Sequence, residues 1–145
     1  MPSKQFTAAD RTALAEVGKV LSQHAEAFGA ESLARLFLTH PASKIYFSEF
    51  TDYSAAGPRV RVHGAKVLGA VAKAIGHLDD LHTHLEPLAA KHGHDLLVDP
   101  QNFPTLATCI LVTVACHLGE FGPATHCALD KLLTIICQEL SSQYR

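Results

Sequence analysis

The stretch Pro58-Arg59-Val60-Arg61-Val62-His63-Gly64-Ala65-Lys66-Val67-Leu68-Gly69-Ala70-Val71-Ala72-Lys73-Ala74 sets the fold class. It opens on a proline, which suits the first turn of a helix because the missing N–H would have no intrahelical partner there. Val67, Ala70, Val71 and Ala74 recur at the three- and four-residue spacing of one helical face. His63 stands on the same face, one turn before Val67. Gly76 and the Asp79-Asp80 pair mark the end of the helix.

Gly64 lies in the interior of this stretch, where glycine costs about 1 kcal/mol relative to alanine. Gly29 carries the same cost in a helix expected from about Ala25 to Thr39, with Leu33, Leu36 and Phe37 as its buried stripe. That helix ends before Pro41, because the residue preceding a proline avoids the helical region. A close crossing of the two helices at the two glycines would offset both costs, since backbones approach only where no side chain intervenes.

Working toward the N-terminus, Thr7-Ala8-Ala9-Asp10 is a capping-box pattern opening a first helix with Leu14, Val17 and Leu21 facing in. A short helical turn is expected at Pro41–Tyr46, followed by an irregular segment carrying Phe47, Phe50 and Tyr53. Toward the C-terminus, Thr83-His84-Leu85-Glu86 reads as a second capping box, opening a short helix to about Gly93. Leu85, Leu88, Ala89 and His92 share its apolar face. Asp99-Pro100 reads as an N-cap with proline at the first helical position, and Phe103, Leu106, Ala107, Ile110, Leu111 and Val114 trace the buried face that follows. Gly119-Glu120-Phe121-Gly122 breaks that helix. Pro123 starts the last, with Leu129, Leu132, Leu133, Ile136 and Leu140 inward. Strand-like alternation is absent. The expectation is an all-α protein of about seven helices in one domain, residues 1–145.

The bulk numbers exclude several classes. Twelve Lys and Arg stand against fourteen Asp and Glu, and no basic stripe points to nucleic acid. The longest apolar stretch, Leu106–Cys116, is too short to span a bilayer, and the N-terminus has no apolar signal-like region. A soluble protein of the cell interior is expected, with no nucleic-acid and no membrane partner. Cys109, Cys116, Cys127 and Cys137 have no C-x-x-C spacing. They read as reduced thiols, with a disulfide as the alternative. Ten histidines are many for this length; surface buffering accounts for most of them.

His63 and His92 are different, because each lies on the apolar face of its own helix. Each taken alone reads as a hydrogen-bonded core histidine. The pair also suits a metal ligand and a hydrogen-bond donor facing each other across a flat cofactor. Their spacing of 29 positions lets the chain leave one helix and return on the far side. Phe47, Val67, Leu88, Phe103 and Leu106 around them are large and apolar, which suits a porphyrin.

At Pro41-Ala42-Ser43-Lys44-Ile45-Tyr46-Phe47, Val62-His63-Gly64-Ala65-Lys66-Val67, Leu96-Leu97-Val98-Asp99-Pro100-Gln101-Asn102-Phe103, Leu129-Asp130-Lys131 and the closing Tyr144-Arg145, the sequence resembles the vertebrate haemoglobin α-type chains of the globin family, with the flavour of those of cartilaginous fishes. The match runs from about Thr7 to Arg145. Only fifteen residues separate Phe47 from His63, too few for the extra short helix of β-type chains.

The resemblance implies the globin fold around haem b, reversible oxygen binding, and a tetramer with β-type globin chains in the red-cell cytoplasm, with no enzymatic role. It implies His92 as proximal iron ligand and His63 as the distal, oxygen-facing residue. It implies that Tyr46, Phe47, Phe50, Lys66, Val67, Leu88, Leu96, Val98, Asn102, Phe103, Leu106, Ile136 and Leu140 line the pocket or its rim. Asp99 with Tyr46 and Asn102, and the terminal Tyr144 and Arg145, fall at the contacts that change with quaternary state. Cys109, His117, Phe121, His126 and Cys127 become candidates for a second, tighter subunit contact.

Three positions depart from the family pattern: Lys91 where leucine is usual, Leu97 where many such chains carry arginine, and Glu49 in place of a histidine near a haem propionate. Two other functions fit parts of the sequence. One is a globin acting on nitric oxide or peroxide. The other is a histidine-rich helical metal-binding protein using His82-Thr83-His84 or His92-Gly93-His94.

Overall fold

The computed structural model describes residues 5–96 and 99–142, apart from the side chains of residues 94–96. The described residues are helical, with no strand among them. The order is α1 (Ala8–Thr39), a 3-10 turn (Pro41–Phe47), α2 (Pro58–Ile75), α3 (Leu81–Ala90) running into a π turn (Lys91–Leu96), α4 (Asn102–His117) and α5 (Pro123–Ser141).

The first two expected helices form one continuous run, α1, bent at His24, whose φ of −124° and ψ of 24° leave the helical region. Its start is the expected capping box. Thr7 Oγ1 accepts from the Asp10 N–H at 3.0 Å, and Asp10 Oδ2 accepts from the Thr7 N–H at 2.9 Å. Asp10 is buried, and Lys131 of α5 donates to the same carboxylate oxygen. The cap therefore also fastens the first helix to the last. The lysine ammonium and the capping N–H hold the Asp10 carboxyl below its ordinary pKa.

The glycine crossing is present. A Cβ built on Gly29 would fall on the Gly64 carbonyl, and one built on Gly64 would fall on the Gly29 carbonyl carbon, in both cases well inside 3.0 Å. The consequence for α2 is that it has two apolar faces. Val60, Gly64, Leu68, Val71 and Ala74 are buried. Val67 and Ala70, expected to share one face with Val71 and Ala74, are half-buried and look into a cleft.

Two expectations for the next segment are corrected. The second capping box does not form: α3 starts at Leu81, so Thr83 stands inside its first turn. Leu81 and Leu85 are buried at a spacing of four, and this apolar pair begins the helix two residues before Thr83. Asp80 takes the N-cap position without a capping hydrogen bond, its carboxylate turned to His77 Nδ1 at 3.2 Å. The segment also does not stay α-helical to Gly93. It widens into the π turn at Lys91, directly before His92.

The expected N-cap at Asp99 is corrected: Gln101 takes that position without a side-chain cap, and Asp99 Oδ1 accepts from the Gln101 N–H at 3.0 Å in the turn ahead of α4. The first bonds after it span three residues, from the Asn102 N–H to the Asp99 carbonyl and from Phe103 to Pro100, so regular α-helix begins only at Asn102. Phe103, Ile110 and Val114 are buried as expected, and Cys109 and Thr113 are buried as well. Thr113 Oγ1 accepts from Arg35 Nη1 at 2.8 Å.

The main core gathers Leu14, Val17 and Leu21 of α1, Leu68 of α2, Leu85 of α3, Val114 of α4 and Leu129 and Leu132 of α5. A second cluster forms where the later part of α1 meets α2 and α4, around Leu33, Leu36, Phe37, Val60 and Cys109, with Phe47, Phe50 and Tyr53 against it. No helix among the described residues is long and apolar enough to cross a membrane.

Candidate ligand-binding cleft

Between α2 on one side and α3 with the π turn on the other lies a mostly apolar cleft, with room for the centre of a water-sized molecule over about 290 Å3. Its floor comes from α4 and α5. Of the residues expected there, Tyr46, Phe47, His63, Lys66, Val67, Leu88, His92, Asn102, Phe103, Leu106, Ile136 and Leu140 all line it. Phe50 stands one layer back, its ring 5.3 Å from that of Phe47 and 6.5 Å from that of Phe37. The Leu96 side chain and Val98 lie outside the described residues, as do Leu97, Tyr144 and Arg145.

His92 is fixed by its own helix. Its Nδ1 lies 2.9 Å from the carbonyl oxygen of Leu88, one turn back. A carbonyl only accepts, so Nδ1 carries a proton, which leaves Nε2 as the ring nitrogen available to ligate a metal. Phe103 meets the imidazole edge to face at 5.7 Å. His63 comes from α2, half-buried, with the Phe47 ring at 5.1 Å and 69° to it. Burial holds its pKa below the ordinary value, and the neighbouring Lys66, His92 and Lys91 add to that effect. A neutral His63 keeps one N–H donor and one acceptor. Among the described residues its ring nitrogens have no hydrogen-bond partner in the protein.

The lining has a definite charge pattern. Lys66 and Lys91 are in it, and no Asp or Glu among the described residues is. Glu49, which would have set a negative charge near this edge, instead faces Arg59 at 3.4 Å. Cys137, at the base of the cleft, has its thiol pushed up to about 11 by burial, so it stays neutral and behaves as an apolar liner. Tyr46 ties the rim together, its Oη accepting from the Asp99 N–H at 3.1 Å.

Leu36, Ser43, Ala70, Val71, Leu85, Ala107, Ile110, Leu133 and Cys137 also line the cleft and were not among the residues expected there. Most lie one turn from a residue that was found, on helices whose relative placement only the fold supplies. Lys91 was visible as a departure from the family pattern, without a place in the site.

Two other expectations meet the structure here. His82 and His84 do not converge on a shared ligand position. His82 Nδ1 pairs with Glu139 at 2.7 Å, and the His84 ring stacks on His77 at 3.9 Å. No group of three or more His, Cys, Asp or Glu side chains among the described residues could hold a metal ion. Of the candidate subunit-contact residues, Cys109 is buried in the core, while His117 is bound to Glu31 at 2.8 Å and Cys127 is exposed. All four cysteines are free thiols.

The sequence model of the Globin family matches residues 30–140. The chain belongs to the globin family. Relatives of this globin include haemoglobin subunit α of Mustelus griseus, 63% identical over 97% of this chain and 99% of that one. Haemoglobin subunit α of Heterodontus portusjacksoni is 57% identical over 99% of this chain and 97% of its own. Among solved structures, the deoxy form of Mustelus griseus haemoglobin superposes with a TM-score of 0.94 at 63% identity, and shortfin mako (Isurus oxyrinchus) haemoglobin with 0.94 at 58%. Each covers 97% of this chain and 99% of the matched one. The globin fold that the resemblance implied is the fold observed.

Proposed function

We propose that this globin binds haem b through His92 and carries oxygen reversibly, as the α-type subunit of a tetramer with β-type globin chains in the red-cell cytoplasm. The observation that carries the reading is the pairing of His92 and His63 across one apolar cleft, with the His92 Nδ1 proton committed to Leu88. The cleft fits the group: apolar walls for a flat ring, an imidazole with Nε2 available to ligate, and, among the described residues, lysines without carboxylates for an acidic edge. The relatives' names support the oxygen-carrying and subunit parts of the reading. The reading takes residues 1–145 as one globin domain, supported by the family match over residues 30–140.

Haem iron, when bound, supplies an open coordination position at which oxygen binds reversibly. His92 Nε2 would hold the iron from the α3 side, its orientation set by the Leu88 carbonyl. His63 would offer its N–H to the bound ligand from the α2 side. A hydrogen bond to a charged group is worth about 1.5–3 kcal/mol, roughly ten- to over a hundredfold in affinity. Phe47, Val67, Leu88, Phe103 and Leu106 line the cleft and would keep water from the ring. Lys66 would face an acidic edge of the cofactor at the mouth.

The test is an absorption spectrum and an oxygen equilibrium curve of the haem-loaded protein, alone and with a β-type partner. A Soret band that shifts reversibly with oxygen, and a sigmoidal curve with the partner, are expected. No haem uptake overturns the reading. The reading is of a carrier and not an enzyme, so sustained turnover of nitric oxide or peroxide with a physiological reductant, in place of reversible oxygenation, would replace it.

A further inference from the structure

Lys91 opens the π turn and immediately precedes His92. It is exposed, yet it lines the cleft, as a lysine does when its aliphatic stem lies along an apolar wall and its ammonium reaches the mouth. Lys66 lines the same cleft from α2, three residues after His63. The charges of both lysines act on His63, so both lie within electrostatic reach of one point in the cleft. Among the described residues, the lysines in ion pairs are Lys19 and Lys131, so neither Lys66 nor Lys91 is engaged by a carboxylate. Glu49 is drawn to Arg59. The mouth of an otherwise apolar cleft thus carries two cations from opposite walls, and no acidic residue among the described ones lines it.

We propose that Lys91 is a cofactor-binding residue: it pairs with one carboxylate of the haem while Lys66 serves the other, so that the acidic edge is held from both walls. This rests on the haem reading above. Haem carries two propionates and so presents two negative charges on one edge. A leucine at position 91 would leave the α3 side of the mouth without a cation. The pair is solvent-exposed, so its contribution is that of a surface ion pair, sensitive to salt.

The test times the transfer of cofactor to an excess of an apo-acceptor globin at low ionic strength. Wild type, Lys91→Leu, Lys91→Gln and Lys91→Arg are each loaded with haem b or with its dimethyl ester, in which the carboxylates are capped. With haem b, the Leu and Gln variants should lose cofactor about two- to fivefold faster than wild type, with Arg close to wild type. The difference should shrink at high salt, and with the ester all four should lose cofactor at the same rate. Equal rates for wild type and the two neutral variants with haem b overturn the proposal. So does an acceleration that persists with the ester, which would mark packing in place of charge. If wild type takes up neither cofactor, the haem reading itself fails, and this proposal falls with it.

Discussion

Gly29 and Gly64 meet backbone to backbone where α1 crosses α2, with no room at either position for a Cβ. The crossing places α2, and with it His63, against a wall that cannot be moved without separating two main chains.

Alanine at either position gains up to about 1 kcal/mol of helix propensity, but its methyl lands on main-chain atoms that have no rotamer to change. Overlap of this kind costs about 1–3 kcal/mol and can exceed that against backbone. Gly29→Ala and Gly64→Ala should therefore each lower the unfolding free energy in urea. Gly69 is the internal control on the same helix: nothing lies within 4 Å of its would-be Cβ, so Gly69→Ala should raise stability by about 0.5–1 kcal/mol. Destabilisation by all three would show that the crossing is not the cause.

His63→Leu keeps bulk in the cleft and removes the N–H. Oxygen dissociation should quicken about tenfold to over a hundredfold, and autoxidation should quicken with it. Stopped-flow dissociation rates check this. Equal rates in variant and wild type would remove His63 from its role.

His92→Gly should cut the protein's attachment to iron while leaving the apolar walls intact. The Soret band should shift, and added imidazole should move it back by entering the vacated space. A variant spectrum identical to wild type would show that the iron ligand lies elsewhere.

Two ion pairs give opposite pH signatures. The Asp10 carboxyl is held below its ordinary value of 3.8, chiefly by the Lys131 hydrogen bond and the Thr7 cap. Its stabilisation is complete above that value and fades as pH falls through the folded pKa. His82 is held above its ordinary value of 6.5 by the hydrogen bond to Glu139 and by that carboxylate's charge. Its contribution is complete below that value and is lost as pH rises through the folded pKa. Asp10→Asn should therefore cost stability at pH 6 and progressively less below pH 4, whereas His82→Gln should cost more at pH 6 than at pH 9. Thermal unfolding across pH reads both, and identical pH dependence of the two variants would contradict the assignment.

The helix faces and the glycine crossing were legible because both rest on local rules: the 3.6-residue period, and a cost at two glycines that something had to offset. The His63 and His92 faces follow from the same period. The start of α3 was not legible, because Thr83-His84-Leu85-Glu86 has the same residue types whether it caps a helix or sits within one. The buried pair Leu81 and Leu85 decides between these, through packing that sequence spacing does not report. The π turn has no comparable local signature here. Leu133 and Cys137 entered the cleft only through the placement of α5 beneath it, and Phe50 left its lining because Phe47 stands in front.

The two jaws of the cleft are mounted differently. The jaw bearing His63 is bolted at the glycine crossing. The jaw bearing His92 rests on α5 through the buried side chains of Leu81 and Leu85, with an exposed hydrogen bond between His82 and Glu139 beside them, and ends in a turn wider than an α-helix. The two histidines thus hang from mountings of different kinds: main chain against main chain on the His63 side, side chain against side chain on the His92 side.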